Sequence, residues 1–518
     1  MEKAPKIAAI DLGTNSFHMA IATLNSNGVI KILSREKEMV RLGSSGKDMK
    51  YLQEDAIERG IETLYRFAKI AESENAIIRA CATSALREAL NRDAFIRRVR
   101  NELDINIEII SGVEEGRLIY LGVIHALPLN GKKTFIIDIG GGSTETIIGK
   151  DGKTEFIHSE KIGAIRLTKL YCEQGEFNRD IVSNLREYIK GEWAVVMNNI
   201  KEIGFDKVVG TSGTILTLAN MVLASKQQQI PELLNGIRID ANDILNVIKT
   251  LTKKKNTREI SRLPGIDPKR ADIILAGSLI LETAIKILNI KEIHISPYAL
   301  REGIIYDTFE KLKARTEKSY LINLRLETVK DLARKYNVDF EHSRLIKNIA
   351  LKIFDNLVEI HKLGSYEKEL LEYSAYLHDV GYWISHDQHH KNSYYIITHS
   401  DLPGFTNDEA EIIGLVARYH RKSHPKKKHQ EFSSLSPESQ YLVKVLAGIL
   451  RIAEGIDRRQ KGYVEDIVIE KRKNNGDMTV DIKLLPRNIN ESVDIEVWGA
   501  TRRKQLLEET LNIKINIF

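Results

Sequence analysis

The chain has 518 residues, 42% of them hydrophobic and 29% charged, with a net charge of +6. This length is too great for one core and predicts three or four domains of ordinary soluble composition; no apolar run approaches a membrane span. Two cysteines, Cys81 and Cys172, argue against a disulfide framework and fit a reducing, cytoplasmic setting, with no signal peptide expected. The modest positive excess would help to hold a polyanion without identifying one, and no nucleic-acid partner is expected.

Residues 7–23, IAAIDLGTNSFHMAIAT, read as a strand ending at Asp11, a turn with Gly13, Thr14, Asn15 and Ser16, and a second strand. Residues 29–42 extend the strands, Gly43 to Lys47 form a loop, and 52–72 have helical apolar spacing. Ala76 to Ala82 is another strand. It runs into Thr83-Ser84 and ALREAL, a helix start with a hydroxyl N-cap and Arg87 in its first turn. A cation there opposes the helix dipole unless an anion is bound nearby. After the strand INIEII comes SGVEEGRLIYLGVIHAL, where Ser111 and Glu114 match a capping box and give Glu114 a structural job. Glu115 points about 100° away around the helix. It is left as a candidate general base.

The chain is organised around residues 134–148, TFIIDIGGGSTETII. A strand ends in Asp138, then Gly140, Gly141, Gly142, Ser143 and Thr144 form a turn, and Glu145 enters a second strand. Successive N–H groups in such a turn suit phosphate oxygens, and the two hydroxyls add donors. Carboxylates beside phosphate make sense with a divalent cation between them, magnesium being the expected one. The pattern repeats that around Asp11. Two related half-domains are therefore expected, their hairpins gripping a phosphoryl group from both sides. A third donor-rich turn, Gly210-Thr211-Ser212-Gly213-Thr214, opens a helix at a favourable place for an anion. Strands at 155–162 and KEIHIS, and helices at 178–201, 240–255, 271–289 and from ALREGIIYDTFEKLKAR, complete an α/β pattern.

DLGTNSFHMAIA, ATSALREAL, IISGVEEGRLIYLGV, IDIGGGSTETIIG, GTSGTILTLA, LPGIDPKRADIILAG and LREGIIYD follow one another over residues 7–307. Together they resemble the exopolyphosphatase / guanosine pentaphosphate phosphohydrolase (Ppx/GppA) family. The resemblance implies two RNase H-like domains of the actin, sugar-kinase and heat-shock ATPase superfold, with a cleft between them and a homodimeric assembly. It places the base of the family's EE pair on Glu115. The other cleft residues fall on Asp11, the Thr14-Asn15-Ser16 turn, Arg87, Asp138, the Gly140–Thr144 turn and Glu145. The activity implied is release of terminal phosphate from inorganic polyphosphate, from guanosine pentaphosphate (pppGpp), or from both. A kinase or chaperone-like ATPase of the same superfold, and a non-enzymatic alarmone or polyphosphate sensor, are the rival readings.

Residues 311–330 read as a charged helical linker and 329–460 as helix, carrying His342, His378-Asp379, His389-His390, His399, His420 and Asp457. YLHDVGYWI and HHKNSYYIITHSDLPGF resemble the C-terminal HD-like domain of long Ppx/GppA proteins, which implies a second metal site at His342, His378 and Asp379. One departure is Glu454, which stands where an active HD domain has its final metal aspartate. RYHRKSHPKKKH, residues 418–429, is a basic loop able to guide a polyanion. Residues 463–485 alternate as strands with a hairpin turn at 472–478, and 502–511 form a helix before NIKINIF. The domains expected are 1–125 and 126–310 (RNase H-like), 311–460 (helical, HD-like) and 461–518 (a small α/β tail).

Overall fold

The computed structural model describes residues 5–24, 30–43, 50–129, 131–172, 175–227, 230–231, 234–314, 320–400, 402, 404–474, 477–488 and 491–518. It divides into two compact units, Met1–Thr316 and Glu317–Phe518. Most of the loop expected at Gly43 to Lys47, part of the linker at 311–330 and the centre of the 472–478 turn lie outside the described residues.

The first unit holds two sheets. β1 (Lys6–Leu12), β2 (Phe17–Leu24), β3 (Ile30–Glu38), β4 (Ala76–Ala82) and β5 (Ile107–Ile109) lie in the order β3-β2-β1-β4-β5. β1 pairs antiparallel with β2 and parallel with β4. β6 (Thr134–Ile139), β7 (Thr144–Lys150), β8 (Lys153–Glu160), β9 (Lys207–Thr211), β10 (Arg238–Asp240) and β11 (Glu292–Ser296) lie in the order β10-β11-β9-β6-β7-β8. Reading from the third strand of each, both sheets begin 3-2-1-4 with the central strand first in sequence; the first ends on its fifth strand, whereas the second inserts its sixth, β11, before its fifth, β10. The repeated letters therefore correspond to a repeated topology. β6 is buried along its whole length, as a central strand covered on both faces must be, whereas edge strand β3 has no fully buried residue.

Helices Glu54–Ser73 and Arg92–Leu103 cover the outer face of the first sheet; Arg179–Ile203, Ser212–Ser225 and Ile274–Leu288 contribute to the core of the second. Helices Gly112–Ala126 and Leu300–Ala314 share one apolar cluster with Ala9, Ala20 and Ala22 of the first sheet and Ile136, Ile147 and Val209 of the second. The two helices cross where neither side offers a side chain. A Cβ on Gly303 would lie 1.9 Å from the Leu118 carbonyl oxygen, and one on Gly122 would lie 2.1 Å from that of Ala299.

Some elements differ from expectation. Helix Ser84–Glu88 starts without a side-chain cap: the hydroxyl of its N-cap residue, Thr83, donates to the Leu12 carbonyl, and Ser84, already inside the helix, donates to Glu88. Helices Arg92–Leu103 and Asp494–Thr501 are not anticipated by the sequence reading.

The second unit begins with helices Tyr320–Lys335, Phe340–Asn356, Ser365–Leu377, His389–Thr398, Asn407–Tyr419 and Pro437–Ile456. β12 (Val464–Asn474), β13 (Asp477–Pro486) and β14 (Lys514–Ile517) follow in the order β12-β13-β14, with β13 and β14 parallel. Ile467, Ile482, Leu507 and Ile515 belong to the same apolar core as Ile353, Leu371 and Leu446. The basic run is partly committed within this unit: Arg418 pairs with Glu431, Lys422 with Asp387, and His420 is fully buried. Cys81 and Cys172 are buried free thiols, and no described helix is long and apolar enough to cross a membrane.

Candidate active site

Both central hairpins end in the same local design. Asp11 faces His18 across β1–β2, and Asp138 faces Glu145 across β6–β7. Two residues after each aspartate comes a glycine, and a Cβ there would press on the carbonyl oxygen three residues on: 2.9 Å from Ser16 for Gly13, 3.0 Å from Ser143 for Gly140. The turns meet tip to tip. A Cβ on Gly142 would lie 2.9 Å from Thr14 Oγ1 and 2.5 Å from Ser84 Oγ. Arg166 fastens this approach, donating to the Gly142 carbonyl at 2.8 Å and to Glu88 Oε1 at 2.8 Å.

Between the hairpins lies a cavity of about 110 Å³. Asp11, Thr14, Asn15, Ser16, Asp138, Gly140, Gly141, Gly142, Ser143, Gly213 and Glu115 all line it. Three expected residues stand behind its wall. Thr144 donates its hydroxyl to the Ile162 carbonyl inside the sheet, Glu145 accepts from Ser159 Oγ at 2.8 Å, and Arg87 Nη1 donates to Glu115 Oε2 at 2.9 Å and to the Ile110 carbonyl at 3.0 Å.

The helix bearing Glu115 begins as anticipated, with the Ser111 hydroxyl accepting from the Glu114 N–H at 3.1 Å. The Glu114 carboxylate is in a two-pronged pair with Arg117, both contacts 2.7 Å, and Arg117 also binds Asp307. Arg79 reaches Asp307 from the other side. This buried network anchors the helix and uses up Glu114. Burial works to raise Asp307, but Arg117, Lys311 and Arg79 hold it well below the usual carboxylate range.

Four carboxyl groups around the cavity behave differently. Burial raises Asp11 to about 8, and Glu115 and Asp138 add to the rise while Arg301 opposes it. Burial raises Asp138 to about 7, against a 2.7 Å hydrogen bond from Ser212, with Glu115 adding to the rise. Glu145 is pushed well above its ordinary value by burial, Glu115 and Asp138. Glu115 is raised by burial despite Arg87. Asp11 Oδ1 is enclosed with no hydrogen-bond partner. Acid groups packed this way want positive charge among them. Asp11, Asp138 and Glu145 are not among the described groups that bring three donor atoms within 4.8 Å of one another.

Two residues were not singled out from the sequence. Ser212, which holds Asp138, has φ +67°, a left-handed conformation uncommon outside glycine. Arg270 lies over Gly213, where a Cβ would be 1.8 Å from its Nη2, and it lines the cavity. Burial lowers its guanidinium pKa, with Asp267 and Asp272 opposing. Arg270 lies in the segment LPGIDPKRADIILAG, but nothing in that segment says that its side chain covers Gly213.

The model of the Ppx/GppA phosphatase family matches residues 21–312, and that of Ppx/GppA phosphatase, domain III, matches 324–499. The chain is 27% identical over 497 residues to a guanosine-5'-triphosphate,3'-diphosphate pyrophosphatase of Vibrio vulnificus, covering 95% of each. It is 28% identical over 425 residues to the protein of the same name from Photobacterium profundum, covering 81% of each. Among solved structures it is similar to an exopolyphosphatase from Cytophaga hutchinsonii, at 29% identity and a TM-score of 0.56, over 59% of this chain and 98% of that one. The Aquifex aeolicus Ppx/GppA family member gives 28% identity and a TM-score of 0.51, over 60% and 99%.

Proposed function

Since the chain belongs to the Ppx/GppA phosphatase family and is a phosphoanhydride hydrolase, we propose that it releases orthophosphate from the end of inorganic polyphosphate. The observation that carries this is the small cavity between two donor-rich turns, walled by mutually raised carboxyl groups. Its small volume and donor-rich lining suit a terminal phosphoryl group, which both polyphosphate and pppGpp present.

In this reading the N–H groups and hydroxyls of Thr14–Ser16 and Gly140–Ser143 bind the terminal phosphoryl oxygens. Glu115 takes a proton from the attacking water. Burial makes its carboxylate a stronger base, and Arg87 fixes its orientation. Arg87 then acts through Glu115, and Arg270 is the cation aimed at the phosphate. Magnesium fits the orphaned Asp11 Oδ1 and the raised acids. Asp138 and Asp11, which line the cavity, would hold it, with Glu145 adding negative charge from behind the wall, and when bound it would supply positive charge against phosphate oxygens. A cytoplasmic homodimer divided into parts 1–125, 126–310, 311–460 and 461–518, the third of them HD-like, completes the proposal.

A second reading, pppGpp 5′-phosphohydrolase, is favoured by the name of relatives that match 95% of the chain. Phosphate release by wild type and Glu115→Ala on long-chain polyphosphate and on pppGpp separates the two. Release from polyphosphate that vanishes in the variant supports the first; release only from pppGpp replaces it with the second. Undiminished release by the variant overturns the assignment of Glu115.

A further inference from the structure

Besides the cleft, one other group of described side chains is arranged for a ligand, and it lies wholly in the second unit. His342 comes from helix Phe340–Asn356, His378 and Asp379 follow helix Ser365–Leu377, His389 opens helix His389–Thr398, and His420 ends helix Asn407–Tyr419. The four histidines are 5%, 0%, 1% and 0% exposed.

Each imidazole has its Nδ1 on an oxygen. The partners are Asp457 Oδ2 at 2.7 Å for His342, the Ala375 carbonyl at 2.8 Å for His378, the His386 carbonyl at 3.1 Å for His389 and the Ala417 carbonyl at 2.6 Å for His420. Carbonyl and carboxylate oxygens accept, so Nδ1 carries the proton and Nε2 keeps its lone pair, which at His389 faces Arg421 Nη1 at 3.4 Å. All four Nε2 atoms converge on Asp379. Those of His342 and His378 lie 3.8 and 3.4 Å from Oδ2; those of His389 and His420 lie 3.3 and 3.8 Å from Oδ1. The Nε2 atoms of His389 and His420 are 3.3 Å apart. Lone pairs facing lone pairs and a carboxylate repel, and most of these separations are too long for hydrogen bonds. Nε2 of both His342 and His378 is buried with no hydrogen-bond partner.

We propose that this cluster binds two divalent transition-metal ions bridged by Asp379, one held by His342 and His378, the other by His389 and His420. Both triads bring their donor atoms within 4.8 Å of one another. Imidazole-rich donors select zinc, iron, nickel or their neighbours over magnesium, which sets this centre apart chemically from the all-carboxylate cleft. Asp457 accepts from the Gly462 N–H at 2.9 Å and orients His342 from behind, as carboxylates do for metal-bound histidines. Glu454 is not among the described donors brought within 4.8 Å of one another, and its carboxylate lies 2.9 Å from Arg503; His389 and His420 supply the second half instead. Three protein donors per ion leave coordination positions open, the arrangement of reactive rather than purely structural sites. His342 and Asp379 reach the wall of a cavity of about 410 Å³.

The test uses the full chain, stripped with chelator and then dialysed against Zn²⁺ alone or Ni²⁺ alone. Elemental analysis should find about two equivalents per chain. His378→Ala and His420→Ala should each lose one, and Asp379→Asn, nearly the same shape, should lose both. Thermal unfolding supplies a readout that does not depend on catalysis. Wild type should be stabilised by Zn²⁺, Asp379→Asn should not, and the far-ultraviolet dichroism of the two should match. Wild type that retains less than about a tenth of an equivalent and shows no thermal shift overturns the site. So does metal content unchanged in His378→Ala, and a single ion indifferent to His420 overturns the pair. Metal content is read whether or not the cleft hydrolyses polyphosphate, so the two readings fail separately.

Discussion

Glu115 and Arg87 stand 2.9 Å apart, and their substitutions should separate a base from the group that aims it. Glu115→Gln keeps the shape and removes the proton acceptor, so kcat should fall by about 10²–10⁴ with the melting temperature nearly unchanged. Arg87→Lys keeps the charge and loses the planar fork. It should lower kcat with little change in KM, because Arg87 does not line the cavity. Arg270→Ala should raise KM for the anionic substrate instead, and steady-state kinetics on the three variants decides the assignment. Glu115 was legible because the capping signal at Ser111 gave its neighbour a different job, although Arg117 rather than the cap is what occupies the Glu114 carboxylate. Ser212 was not legible as the holder of Asp138. Its positive φ is imposed by the strand-to-helix turn, and nothing in the letter S announces it.

Among elements, the two repeated hairpins were readable because glycine and aspartate are forced on a tight turn that meets a ligand. Helix Arg92–Leu103 was not, because only Phe95 and Val99 of its twelve residues are buried and the apolar period is too thin to see. The crossing of helices Gly112–Ala126 and Leu300–Ala314 is likewise hidden, since a glycine in a helix looks like a weakness until its neighbour is known. Gly303→Ala forces a methyl toward the Leu118 carbonyl. It should cost about 1–3 kcal/mol, read as a lowered denaturant midpoint. Arg166→Met should loosen the join between the hairpins by removing its bonds to Gly142 and Glu88. The expected result is weaker phosphate binding with a smaller effect on stability, measured by KM and thermal unfolding together.

For the molecule as a whole, the raised acids set a pH dependence. Asp11 and Asp138 hold protons up to about 8 and about 7 in the folded chain, whereas unfolded aspartates release them near 3.9. Between those limits the folded state binds more protons, so the metal-free protein should lose stability as pH rises from about 4 to 8. Magnesium must displace the same protons, so its affinity should increase over the same window. Thermal unfolding at about pH 5.5 and 8.5, with and without Mg²⁺, should show the larger stabilisation at the higher pH. A Mg²⁺ effect that is flat with pH would remove these two groups from the cation site.

The apolar cluster shared by the two sheets has a consequence for how the first unit comes apart. Ala20 of one half and Ile147 of the other rest on the same pair of helices, so neither half owns a complete interior. A duplication that is plain in the letters and in the strand order is thereby erased in cooperativity. The two halves should lose their slowest-exchanging amides together, Ile10 with Ile136, in one concerted opening. Hydrogen exchange under mild denaturant that protects β6 after β1 has opened would show that each half kept its independence.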